Sequence, residues 1–226
     1  MTQTRGTLDR DLAQIQDDIL RLGSMTEDAI QRSIKALKQR DVDLAQQIIA
    51  NDVNINDLRY AIEEQCITVI ATQQPVASDL RTIIAAIHIA TEMERMADHA
   101  EGIATLVTRL SDEPLLKPLI DVPRMADIGC EMLRNVLNAY LARDPEAAMA
   151  AAARDDEIDH LYNQVFRELL TYMLQDPRTI NRAIFLIWVA HNLERIADRV
   201  TNISERVVFM TTGKLEELDG SWKIDG

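Results

Sequence analysis

Turn-forming residues are scarce in this chain, which has 7 glycines and 6 prolines among 226 residues, and aromatic residues make up only 4%. A sheet protein of this length needs many tight turns and a supply of aromatic and β-branched side chains, so a β-rich fold is excluded. The two cysteines, Cys66 and Cys130, form no C-x-x-C pair and no zinc spacing, and read as buried thiols in a reducing compartment. The longest apolar run, Ala183 to Ala190, falls far short of the ~20 residues that span a bilayer. No charged-then-apolar leader opens the chain, so the expected location is cytoplasmic. Basic residues are also in deficit, with 24 Lys and Arg against 37 Asp and Glu and a net charge of −13. With no basic face to neutralise phosphates, nucleic acid is excluded as a partner, and any membrane association must be indirect. Phosphate loops and nucleophile elbows are missing as well, which argues against an enzyme.

What remains is rich in Ala, Leu, Ile, Glu, Arg and Gln, the composition of helices. Apolar residues recur at three- and four-residue steps, as in Leu44, Ile48, Ile55, Leu58, Ile62 and Val69. Punctuation divides the chain into six long helices, near 5–39, 42–72, 77–110, 121–143, 145–174 and 178–211. Asp144-Pro145 and Asp176-Pro177 each place a capping carboxylate before a proline suited to a first helical turn, and Asp41 is a third candidate cap. Ser111 to Pro123 holds three prolines and no helical pattern, and marks the boundary between two units, 1–112 and 121–213, with an acidic tail at 214–226.

An internal repeat organises the whole. A slide of 103 residues lays Arg40-Asp41, Asp52, Ile55 and Leu58 over Arg143-Asp144, Asp155, Ile158 and Leu161. A slide of 100 lays Glu94-Arg95-Met96-Ala97-Asp98 over Glu194-Arg195-Ile196-Ala197-Asp198, and Ile103 over Ile203. The expected fold is therefore all-α, two tandem pseudo-symmetric three-helix bundles whose short connections make neighbouring helices antiparallel.

Glu94 and Asp98 are four residues apart and stack one turn above the other on a helix, as do Glu194 and Asp198. The second helix of each unit adds Asp52 and Asn56, or Asp155 and Asp159, at the same spacing. In an antiparallel bundle these groups can face the third helix across a gap. The spacing leaves two arrangements open. Upstream apolar periodicity points the acids inward, whereas Met96, Ala100, Ile103 and Val107 place the downstream stripe on the opposite side. Two like charges ~6 Å apart repel by roughly 0.7 kcal/mol in water and about 3 kcal/mol at an effective dielectric near 20. An exposed pair is harmless; a half-buried cluster needs a cation or raised pKa values. Oxygen-only ligation suits Mg, Mn, Ca or Fe rather than thiolate-bound structural zinc. The plainer alternative is a solvated charge pair in which Arg95 bridges to Asp98 and Arg195 to Asp198.

The remaining constellations are weaker. Glu157 and His160 have di-iron E-x-x-H spacing, but that architecture needs the motif twice and the first copy lacks it. His88, His99 and His191 read as ordinary helix residues, and Met93 and Met96 as core filler.

A duplicated three-helix unit with D-x-x-I-[DN] on its second helix and E-R-[MI]-A-D on its third resembles the PhoU family. The stretches from Ile19 to Met25 and from Phe209 to Lys214 look like that family's ends. The resemblance implies a cytoplasmic, non-enzymatic negative regulator of phosphate uptake and of the phosphate-starvation response. Its implied partners are the ATPase subunit of the phosphate ABC transporter, the sensor histidine kinase of the phosphate two-component system, and a second copy in a homodimer. It also implies carboxylate-bound divalent metal (Mg, Mn, Fe or Zn) at Asp52, Glu94 and Asp98 in the first unit and Asp155, Asp159, Glu194 and Asp198 in the second. Asn56 stands where an acid would complete the first set, so weaker cation binding is expected there. Gly102, opposite Asn202, suggests local helix flexibility. Two other classes stay open, a metal-dependent helical enzyme using the same carboxylates and a plain helical scaffold.

Overall fold

The computed structural model describes residues 2–110 and 114–215, and every regular element in that range is helical. In order these are α1 (Thr2–Gln39), α2 (Val42–Gln73), α3 (Ser78–Leu110), α4 (Asp121–Ala142), α5 (Pro145–Ala152), α6 (Asp155–Gln175) and α7 (Ile180–Thr212), with a 3-10 turn at Pro177–Thr179 before α7. Residues 111–113 of the interdomain boundary and 216–226 of the acidic tail lie outside the described residues.

One expected helix is divided in two. The expected fifth helix is broken at Ala153-Arg154 into α5 and α6. Asp155, Asp156 and Glu157 crowd the first turn of α6, where free N–H groups and the positive end of the helix dipole favour acids. Arg154 swings outward to Glu131 at 2.8 Å and Glu157 at 3.1 Å. Apolar spacing continues across such a break and cannot report it. Pro123 stands in the first turn of α4, inside the expected fourth helix.

The capping aspartates behave as expected. Asp144 Oδ1 accepts from the N–H groups of Glu146 and Ala147, both at 3.0 Å, and Asp41 Oδ1 accepts from Leu44 N–H at 2.9 Å. Asp176 caps the 3-10 turn through Arg178 N–H. Asp144→Ala is expected to cost about 1 kcal/mol, read as a lower denaturation midpoint at unchanged slope.

α3 and α7 form the central pair; α1 and α2 cover α3, while α4, α5 and α6 cover α7, and α1 also packs on α4. Arg81 meets Met210, Glu92 meets Arg199 and His99 meets Asn192, so the central helices are antiparallel. These pairs place a pseudo-twofold axis near Met96 and Ile196, the middle residues of the repeated motif, and both are fully buried. The axis relates the His99–Asn192 pair to the Arg199–Glu92 pair. One copy of this cross-repeat contact joins an imidazole to an amide at 3.0 Å, the other joins a guanidinium to a carboxylate at 3.3 Å, and Asn202 meets that carboxylate at 3.1 Å.

Gly102 lies inside an unbroken α3. A Cβ there would stand 3.2 Å from Asn192 Oδ1, so the glycine serves close approach of the two repeats rather than flexibility. Met93, Cys66 and Cys130 are all buried in the core.

Candidate functional site

The bundle brings both carboxylate sets together. In the second repeat the break before α6 sets Asp155 at a helix start, one turn before Asp159, and α7 runs back past them with Glu194 and Asp198. Burial raises Asp155 to about 7, helped by Asp159, Asp198 and Glu194. Burial raises Glu194 to about 7 as well, with Asp198 adding to the shift and Arg195 opposing it. Asp159 and Asp198 are raised mainly by burial. Asp155 Oδ1 and Glu194 Oε2 are buried without a hydrogen bond. Arg195 Nε lies 3.0 Å from that Glu194 oxygen but off the line a hydrogen bond needs, and its Nη1 donates to Asp198 Oδ2 at 2.8 Å. His191 Nδ1 is 3.5 Å from Glu194; burial and Arg195 lower its pKa, so the imidazole is neutral at pH 7.

In the first repeat, Asp52 of α2 and Glu94 and Asp98 of α3 act on one another. Asp52 is raised by burial and Asp98, against a 2.6 Å hydrogen bond from Asn56 Nδ2 to its Oδ2; its other oxygen is buried and unpaired. Glu94 is raised by burial and Asp98, with Arg59 opposing. Asp98 reaches solvent, yet the packing around its carboxyl raises it while His99 and Arg95 pull back. The expected bridge from an arginine to the following aspartate thus forms in the second copy, whereas Arg95 acts on Asp98 through its field alone.

Glu101 is the residue that sequence reasoning missed. It is raised by burial, then by Asp52 and Asp98, and it lines a small cleft with Asp28, Arg32, Asn51 and Asp52. The signal was available, because residues 94, 98 and 101 fall on one helix face at steps of four and three. Its counterpart is Thr201, whose hydroxyl is buried and unpaired. Each cluster therefore holds four carboxylates, with Glu101 on α3 supplying the acid that Asn56 lacks on α2. Glu101 thus adds a carboxylate beside the first set, on α3 rather than at Asn56 on α2. His99 acts on both Asp98 and Asp198, so it stands between the two clusters.

The donors are all oxygen; Asp52 Oδ1 and Asp155 Oδ1 are buried without a hydrogen bond, and Glu194 Oε2 has only the ion contacts to Arg195 and His191, which fits a hard divalent cation. Among the described residues, however, no three His, Cys, Asp or Glu side chains stand close enough to form a ready-made metal group. Loading an ion requires the carboxylates to close in on it. Glu157 and His160 are both exposed, and the di-iron spacing has no second half.

A duplicated helical bundle with an acid cluster in each copy defines the class of protein. The PhoU domain matches residues 19–107 and 122–207, and the chain belongs to the PhoU family. It is 43% identical over 206 residues to a phosphate-specific transport system accessory protein PhoU homolog of Zymomonas mobilis, covering 91% of this chain and 87% of that one. A homolog of the same description from Clostridium acetobutylicum is 37% identical over 217 residues, covering 96% and 99%. The crystal structure of PhoU from Pseudomonas aeruginosa superposes with a TM-score of 0.86 at 32% identity, covering 91% of this chain and 99% of that one. No helix among the described residues is long and apolar enough to cross a membrane.

Proposed function

We propose that this chain is a cytoplasmic, non-enzymatic negative regulator of phosphate uptake and of the phosphate-starvation response. It acts by protein contact, coupling the ATPase subunit of the phosphate ABC transporter to the sensor histidine kinase, as a homodimer. The observation that carries this reading is the pair of carboxylate clusters, three of whose acids match between the copies of a PhoU repeat, beside relatives described as transport accessory proteins. Asp52, Glu94, Asp98 and Glu101 would hold a divalent cation (Mg, Mn, Fe or Zn) in the first repeat. Asp155, Asp159, Glu194 and Asp198 would hold one in the second. When bound, the cation supplies positive charge that offsets carboxylate repulsion and stiffens α2 against α3 and α6 against α7.

Deletion of the gene is expected to leave phosphate uptake and kinase signalling unrestrained in phosphate-rich medium. Purified protein is expected to retain the ATPase subunit and the kinase in a pull-down at high phosphate with divalent ions supplied. Failure to bind either partner, together with normal phosphate repression in the deletion strain, would refute the reading.

A further inference from the structure

The two acid clusters are compensated in different ways. In the first, a cation comes from α2. Arg59 is held by Glu63 at 2.9 Å and lies over the Tyr60 ring at 4.6 Å, and from there it acts on Glu94 through its field. Arg95, on the repeated motif itself, is exposed and makes no hydrogen bond or ion pair among the described residues. Glu94 and Asp98 are therefore free of any guanidinium in direct contact.

The second repeat lacks the α2 contribution. The slide of 103 residues lays Arg59 over Tyr162, a phenol whose pKa burial and Glu194 push further up, so α6 offers no cation at that position. Compensation falls to Arg195 of α7. Its Nε lies 3.0 Å from Glu194 Oε2 and its Nη1 donates to Asp198 Oδ2 at 2.8 Å. One guanidinium thus spans both acids of the motif, which stand on successive turns, as a planar fork of donors can and an ammonium cannot.

The acids of this bridge are fixed and the arginine is loose. The Glu194 side chain is 16% exposed and that of Asp198 32%, against 42% for Arg195. With close to half of the arginine side chain in water, rotating it outward opens no core packing. A divalent ion on Glu194 and Asp198 draws on the same carboxylates and repels a guanidinium at contact distance, in surroundings that screen charge less than water does.

We infer that Arg195 competes with a divalent cation for Glu194 and Asp198, and that loading the ion releases its guanidinium to solvent. The first cluster has no such competitor, because Arg95 touches neither Glu94 nor Asp98. The inference rests on the reading of Asp155, Asp159, Glu194 and Asp198 as cation ligands, and it assigns the regulation of that site to one residue of the motif.

The test uses the full chain with Mn as the probe, free Mn being read from its EPR signal. Glu94→Gln/Asp98→Asn leaves the second cluster intact, and Glu194→Gln/Asp198→Asn leaves the first. Adding Arg195→Gln to the former is expected to tighten Mn binding about tenfold. Adding Arg95→Gln to the latter is expected to change it by less than about threefold, since an exposed charge acting at a distance is well screened. Arg195→Lys keeps the charge but cannot span both acids, and is expected to tighten binding by about threefold or more. A second readout needs no substitution. In the wild-type protein, modification of Arg195 by phenylglyoxal, followed by peptide mass spectrometry, is expected to run about threefold or more faster in saturating Mn than in EDTA, with Arg95 unchanged. Wild-type Mn affinity in Arg195→Gln overturns the proposal, as does an Arg195 that stays equally protected in Mn. Wild-type affinity in Arg195→Lys beside a gain in Arg195→Gln also overturns it, since charge alone would then act. Mn binding that ignores Arg195 leaves the cation-ligand reading standing, whereas no Mn binding by either single-cluster protein overturns both.

Discussion

In the presence of a chelator, the protein is expected to lose stability as the pH rises from about 4 to about 7. Asp155 and Glu194 titrate near 7 in the folded chain, against ordinary carboxyl values of 3.8 and 4.5. The native state therefore holds more protons than the unfolded state between those limits, and stability falls wherever that is so. Below pH 4 both states are protonated and the contribution is fully present; above 7 it is gone. Asp155→Asn removes the buried charge and is expected to stabilise the chelated protein at pH 7.5 by about 1–2 kcal/mol, a figure kept well under the unscreened shift because the site is partly open to solvent. It should also flatten the pH profile. A divalent cation competes with the same protons, so saturating Mn or Mg should reverse the trend, adding about 2.7 kcal/mol at a hundred times its dissociation constant. Melting curves from pH 4 to 8, in EDTA and in metal, measure both effects. A melting temperature that climbs from pH 5 to 7.5 in EDTA would show that the carboxylates do not strain the fold.

Ile103→Ala and Ile203→Ala are each expected to destabilise the protein by about 2–5 kcal/mol. Both side chains are fully buried and occupy equivalent positions on α3 and α7. Each truncation removes about three methyl or methylene groups from water-free packing and leaves a cavity that two long helices cannot collapse without shifting along their length. In a domain of this size each kcal/mol lowers the melting temperature by roughly 2–4 °C, so a drop of about 5–15 °C is expected for either variant. Calorimetry decides the matter. A large loss for one and none for the other would mean that the repeat equivalence does not extend to the core.

Much of the architecture could be read before any coordinates. Helix periodicity, the Asp-Pro and Asp41 caps and the two slides of the chain depend on neighbours within a few residues or on a copied pattern, and such local rules hold wherever the segment folds. The break between α5 and α6 escaped because Ala153 and Arg154 are both acceptable within a helix. Only the competition of three acids for a fresh helix start separates the two pieces.

The acid clusters show the same division. Spacing along one helix paired Glu94 with Asp98 and Glu194 with Asp198, and the repeat added Asp52, Asp155 and Asp159. Glu101 was passed over because its counterpart is Thr201, so comparison of the two copies hid it. Only the approach of α2 to α3 shows that Glu101 stands with Asp52.

By itself, the amino-acid order determined that this protein is a duplicated set of helices with matched acidic motifs, because periodicity, capping and repetition are properties of consecutive residues. Tertiary structure decided which carboxylates share a volume poor in water, and that Asp52 Oδ1 and Asp155 Oδ1 are buried without a hydrogen bond. Those outcomes follow from how separate helices cross, and the distance between two side chains on different helices is set by packing across the whole bundle.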